Sequence, residues 1–151
     1  KQKTAYEISA CLVGSEMCIR DRFKSEEEYY TLNSTQNRVD IDMYGPEKKQ
    51  AQSPMELLLS GIIACAAVDI VSMIKKRRKI LYDISGKARG QRRAIAPRSF
   101  TEIKIHYEIN SPDLTDHEAE KIISLAVNKY CSVASSLSND IKLSYGFEIN
   151  R

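Results

Sequence analysis

Between Pro54 and Ile74 the chain reads PMELLLSGIIACAAVDIVSMI, and no other stretch restricts the fold so strongly. Ser53 precedes Pro54 and stands three residues before Glu56, so an N-cap serine, an N1 proline and a capping-box glutamate agree on a helix start at 53 or 54. The helix is expected to run to about Lys79 and is apolar around most of its circumference, so it must be covered on more than one side. A chain of 151 residues has little material for such a cover. A second copy supplies it, and a homodimer is expected. Glu56 and Asp69 lie inside the run, and each costs about 2.5–3.5 kcal/mol near the centre of a bilayer helix, so a buried helix of a globular fold is expected over a membrane span. The closing KKRRK, residues 75 to 79, favours the negative end of the helix dipole and reads as a solvated last turn.

Composition, 42% hydrophobic and 28% charged, fits one globular domain with its own core. A net charge of +3 gives no electrostatic case for nucleic acid or an anionic membrane, and disfavours both as partners. The cysteines Cys11, Cys18, Cys65 and Cys131 have neither the density of a secreted disulfide scaffold nor a Cys-x-x-Cys pair, so a reducing, cytoplasmic setting is expected. His106 and His117 lack metal-ligand spacing with these cysteines and read as surface residues. Asn33-Ser34-Thr35 has the form of a glycosylation sequon but reads as a polar turn between strands.

Residues 1 to 22 show neither the alternation of a strand nor a sustained helical stripe. The piece CLVGSEMCIRDR resembles translated adapter sequence found at the ends of proteins inferred from assembled reads, and the N-terminus makes a poor signal peptide, with Glu7 inside its apolar part. Residues 1–22 are therefore read as a leader outside the fold, Cys11 and Cys18 as chemically irrelevant, and 23–151 as a single domain.

From residue 23, EEYYTLN and RVDIDMY form an expected hairpin, with Val39, Ile41 and Met43 alternating against Asp40 and Asp42. After the long helix, YDISGKARGQRR and SFTEIKIHYEIN form a second strand pair, with Ile103, Ile105, Tyr107 and Ile109 on one face and His106 on the other. Thr115 and Glu118 open a second helix whose apolar stripe is Ala119, Ile122, Ile123, Ala126 and Tyr130. Cys131 stands at its far end and opens a short helical segment, whose free amides would favour a thiolate. IKLSYGFEI closes the chain as a strand. Strands paired around two helices indicate an α+β fold with a mostly antiparallel sheet, a long central helix and a second helix.

With PMELLLSGIIACAAVDIV on the first helix and KYCSVASSL after the second, the chain resembles the osmotically inducible protein C (OsmC/Ohr) family of thiol-dependent hydroperoxide reductases. The match spans residues 24 to 150 and is nearest to the YhfA-like branch. The resemblance implies an intertwined homodimer with sites at the subunit interface. It further implies that Cys65 attacks an organic hydroperoxide and Cys131 resolves the product, with an external dithiol as reductant and no metal or organic cofactor. One departure stands out: the best-known members carry a glutamate directly after the helix-opening proline, paired with an arginine of the first hairpin, and this chain has Met55 there. Glu56 and Arg38 are the candidate supporting residues, without that ion pair being carried over. The alternative is a non-catalytic module of the same fold that binds a small apolar ligand, or nucleic acid through KKRRK and RGQRR.

Overall fold

The computed structural model describes residues 19–25, 28–42 and 50–151. Cys11, Cys18, Met43, Gly45 and Pro46 lie outside them. The elements are β1 (Ile19–Ser25), β2 (Glu28–Asn33), β3 (Arg38–Asp40), α1 (Pro54–Lys76), β4 (Asp83–Arg92), β5 (Phe100–Asn110), α2 (Asp116–Leu125), a π-helical turn (Ala126–Tyr130), α3 (Ser132–Ser135) and β6 (Lys142–Asn150). The fold is α+β, with strands divided between a β1-β2-β3 sheet and a β4-β5-β6 sheet rather than gathered in one. All pairings are antiparallel except β5 with β6, which is parallel. The chain separates into an N-terminal unit ending at Leu57 and a C-terminal unit beginning at Leu58.

In the N-terminal unit, β1 pairs Ile19 with Asn33 and Arg22 with Tyr30. The first sheet therefore begins before residue 23, and Ile19–Arg22 belong to a strand that the missing alternation did not reveal. The expected strand 38–44 is shorter. β3 ends at Asp40, Ile41 makes an isolated bridge with Gln52 and donates its amide to Tyr29 O, and Val39 is exposed. Asp42, read as an outward polar residue, is buried because its carboxylate accepts the backbone amides of Gln50 and Ala51. Asn33 closes the β2–β3 turn, its Oδ1 accepting from the amides of Thr35 at 3.0 Å and Asn37 at 2.9 Å.

The start of α1 follows its sequence signals. The amide and hydroxyl of Ser53 both donate to Glu56 Oε2 at 2.8 Å. One stripe of the helix is buried: Ile62, Ala66, Ile70 and Ile74, at four-residue spacing. Ala64 and Val68 on the other side are exposed. By length and composition alone α1 could cross a membrane, a test that core helices also pass. It ends at Lys76, three residues short of the expected Lys79, because Arg78 adopts φ 59°. The Arg78 amide then donates to Lys75 O at 2.9 Å and the Lys79 amide to Ile74 O at 3.3 Å. This is the Schellman arrangement, with arginine where glycine is usual. Nor is Lys79 solvated: its Nζ lies 3.0 Å from Glu118 and donates to Asp113 O at 2.8 Å.

The C-terminal sheet places Ile103, Ile105, Tyr107 and Ile109 of β5 inward and His106 outward, as the alternation requires. Across the β4–β5 loop, Arg92 Nε donates to Arg98 O and Arg93 Nε to Ser99 Oγ. A parallel β6 cannot follow β5 through a tight turn, so the chain must travel back through a crossover, supplied by α2 and α3. α2 opens on the full Thr115–Glu118 capping box. Its stripe holds for Ala119, Ile122, Ile123 and Ala126, but Tyr130 is 51% exposed. The reason is the π turn: the Cys131 amide reaches five residues back to Ala126 O at 2.8 Å, which moves the residues after Ala126 off the α-helical register.

Two stability measurements follow. A non-glycine residue in the left-handed region costs about 1 kcal/mol or more, so Arg78→Gly should stabilise the protein by about 1 kcal/mol. Thermal unfolding should then shift up by about 2–4 °C for a chain of this size, and an unchanged or lower midpoint would contradict the reading. Glu118 is pulled down to about 2, first by the Thr115 amide and then by Lys79 and the Thr115 hydroxyl. A depressed carboxylate stabilises above its unfolded value, about 4.3, and that contribution is lost as pH falls toward the folded value. The midpoint gap between wild type and Glu118→Gln should accordingly be widest near neutrality and shrink between pH about 4 and 2; a gap independent of pH would refute the assignment.

Candidate functional site

Cys65 lies in the middle of α1, on a turn whose surroundings are apolar, and is half-buried. Cys131 is 2% exposed and caps α3. Both are free thiols, and they are near enough to one another that Cys65 raises the Cys131 thiol. Three local features bring Cys131 to α1. The π turn delivers it inward at the end of the crossover. Its Sγ then accepts the Ala134 amide at 3.3 Å, as a serine or threonine N-cap oxygen would. Finally, Gly61 presents no side chain to α3: a Cβ at that position would already sit 3.7 Å from Val133 Cγ1. At this separation the Cys131 S–H faces the carbonyl of Ile62, with Sγ 3.8 Å from the oxygen.

Electrostatics act on the Cys131 sulfur in both directions. Burial pushes the Cys131 thiol up, the Ala134 amide pulls it back, and Cys65 pushes it up again. The amides of the short helix act in the direction expected of them, toward the thiolate, but the loss of water outweighs them and the net shift is upward.

Sequence reasoning treated Tyr107 only as a core residue. Its hydroxyl donates to Ile63 O at 2.9 Å, one residue from the carbonyl that faces Cys131. Burial first, then the proximity of Cys131 and Cys65, hold the phenol well above its ordinary value, so it stays a donor. A lone tyrosine within an isoleucine row was the available signal, since a buried phenol needs a partner.

The two other candidates belong to the N-terminal unit and are engaged there. Glu56 closes the α1 capping box. Arg38 on β3 is bonded to Asp40 at 2.6 Å, lies 3.6 Å from Glu28, and stacks its guanidinium 4.0 Å above the Tyr30 ring.

Comparison with known proteins places this arrangement. A family model described as OsmC-like protein matches residues 45–146. Protein YhfA of Escherichia coli K12 is 34% identical over 128 residues, which cover 85% of this chain and 96% of that protein. Among solved structures, the OsmC-like protein of Mycoplasma pneumoniae superposes with a TM-score of 0.81 at 17% identity, covering 92% of this chain and all of that one (100%). The organic hydroperoxide resistance protein OhrB of Bacillus subtilis superposes with a TM-score of 0.60 at 14% identity, covering 87% and 97%. At those identities the two structures speak for the fold. The family match and the YhfA relative go further, and the chain belongs to the OsmC-like protein family.

Proposed function

We propose that this protein is a thiol-dependent reductase of organic hydroperoxides, acting through Cys65 and Cys131. The observation that carries the reading is the pair itself: a half-buried thiol in the middle of α1 and, close by, a buried thiol at the cap of α3. The names of several structural neighbours, organic hydroperoxide resistance proteins among them, support the substrate class. So do the apolar surroundings of Cys65, which suit a hydrophobic peroxide.

Cys65, as thiolate, attacks the terminal oxygen of the hydroperoxide. The O–O bond breaks, the alkoxide leaves and takes a proton to become the alcohol, and Cys65 is oxidised to a sulfenic acid. Cys131 then attacks that sulfur. The S–O bond breaks, hydroxide departs with the Cys131 proton as water, and a Cys65–Cys131 disulfide remains. A dithiol returns two electrons and two protons, restoring both thiols and leaving as its own disulfide. Each step uses only sulfur of this chain, the peroxide and the dithiol. Two neighbouring reduced cysteines fit the cytoplasm, where a dithiol pool is at hand.

A homodimer belongs to the same proposal. α1 buries one stripe and leaves Val68 69% exposed, so apolar surface on the helix that carries Cys65 is available to a second copy. Light scattering at micromolar concentration should return twice the chain mass of 17.1 kDa; monomer mass would remove the dimer from the account.

Variants separate the cysteines. Cys65→Ser should abolish consumption of cumene hydroperoxide in a thiol-coupled assay. Cys131→Ser should react once, leave a sulfenic acid that a dimedone probe traps, and then turn over at least tenfold more slowly than wild type with a dithiol reductant. One equivalent of peroxide should cost wild type both Cys65 and Cys131 as titratable thiols and yield a Cys65–Cys131 peptide linkage. Consumption by Cys65→Ser as fast as by wild type would sink the enzyme reading and leave a non-catalytic module of this fold in its place.

A further inference from the structure

The inward row of β5 is isoleucine at 103, 105 and 109, and tyrosine at 107. A phenylalanine or a further isoleucine would fill a core position equally well, so the hydroxyl needs a reason. Tyr107 is 0% exposed, and its hydroxyl is spent on a helix carbonyl, Ile63 O, that already accepts an amide within α1. The preceding carbonyl, Ile62 O, faces Cys131 Sγ. Two consecutive carbonyls of one turn therefore receive Tyr107 and Cys131, and Cys65 follows two residues later. Gly86, opposite Tyr107 on β4, makes the reach possible: a Cβ there would come 3.0 Å from Cε1 of the ring and 3.8 Å from Cβ of Ile63. The ring occupies the space that any other residue at 86 would claim.

We infer that Tyr107 is a positioning residue for the disulfide: its hydroxyl clamps the α1 turn that carries Cys65 onto β5 and so fixes where Cys65 meets Cys131. The inference rests on the two-cysteine chemistry proposed above. Disulfide geometry is narrow, with Cβ atoms about 3.5–4.5 Å apart, so a turn free to shift against the sheet meets that geometry less of the time. Tyr107→Phe removes the clamp and keeps the ring. Ile63 O retains its helical partner, so the fold survives.

The test needs no peroxide. The reduced protein is equilibrated with mixtures of oxidised and reduced dithiothreitol, in which the reagent's disulfide takes up two electrons and two protons as Cys65 and Cys131 join. The oxidised fraction is read by alkylation and mass. Tyr107→Phe should lower the equilibrium constant for oxidation about tenfold, which moves the reduction potential up by about 30 mV. Gly86→Ala, which displaces the ring without touching a polar group or either cysteine, should move it in the same direction. Tyr145→Phe is the control: it deletes a 2.8 Å hydrogen bond to Glu120 on the same inward face, and should leave the constant within twofold of wild type. A constant within twofold of wild type for both Tyr107→Phe and Gly86→Ala would overturn the inference, as would an equal fall for Tyr145→Phe. A wild type that forms no Cys65–Cys131 disulfide in any mixture would overturn the two-cysteine chemistry itself, whereas a normal wild type with unchanged variants removes only the role of Tyr107.

Discussion

The contact on which the rest of the site depends is the approach of the Cys131 turn to the backbone of α1. Gly61 lies beneath Val133 at this approach, where a Cβ would sit 3.7 Å from Val133 Cγ1. The π turn matters equally. With α-helical hydrogen bonding continued through Tyr130, the crossover would carry Tyr130 inward along the stripe of Ala119, Ile122 and Ala126. The added residue per turn exposes Tyr130 and buries Cys131 instead. The cost is the weaker geometry of a π bond, and the result is a sulfur held at Ile62 and Ala134 by main-chain groups. Main-chain contacts do not rearrange with rotamers, so the sulfur sits in one place before any reaction begins.

That placement also sets protonation. Removing Cys131 from water disfavours its anion, and the amides of Ala134 and Val133 offset this only in part. The Cys131 S–H is directed at Ile62 O, and two thiolates side by side would repel strongly in a site with little water. The phenol of Tyr107, which donates to Ile63 O, adds a second neutral donor to the same neighbourhood.

α1 carries this arrangement because both of its ends are fixed. At its start Glu56 accepts from both the amide and the hydroxyl of Ser53. At its finish, Arg78 turns left-handed to close the last carbonyls, and Lys79 binds Glu118. Glu118 is itself the capping-box residue of α2, so a single carboxylate joins the end of the helix that bears Cys65 to the start of the crossover that delivers Cys131. Serving both places requires that it stay ionised, and the amide and ammonium around it ensure that.

Much of this was written in local sequence. Capping boxes at Ser53 and Thr115, the alternation of β5 and the four-residue stripe of α1 each follow from interactions within a few residues, and the structure reproduces them. The two cysteine motifs also placed the chain in its family, because their sequence surroundings travel with the fold. The sequence did not show that β5 and β6 run parallel, that Asp42 turns inward, that α1 stops at Lys76, or that Tyr107 does more than fill space. Each of these is settled by a partner remote in the chain or by a backbone state with no periodic signature. β1 escaped for a related reason: with Ile19 and Phe23 exposed on the strand, it lacks the buried face that produces an alternating pattern. Local sequence decided which residues form helices and strands, since that depends on near-neighbour hydrogen bonds and one-sided burial. Only the tertiary structure decided that cysteines 66 positions apart would become neighbours, because that needs a π turn and a parallel crossover to act together.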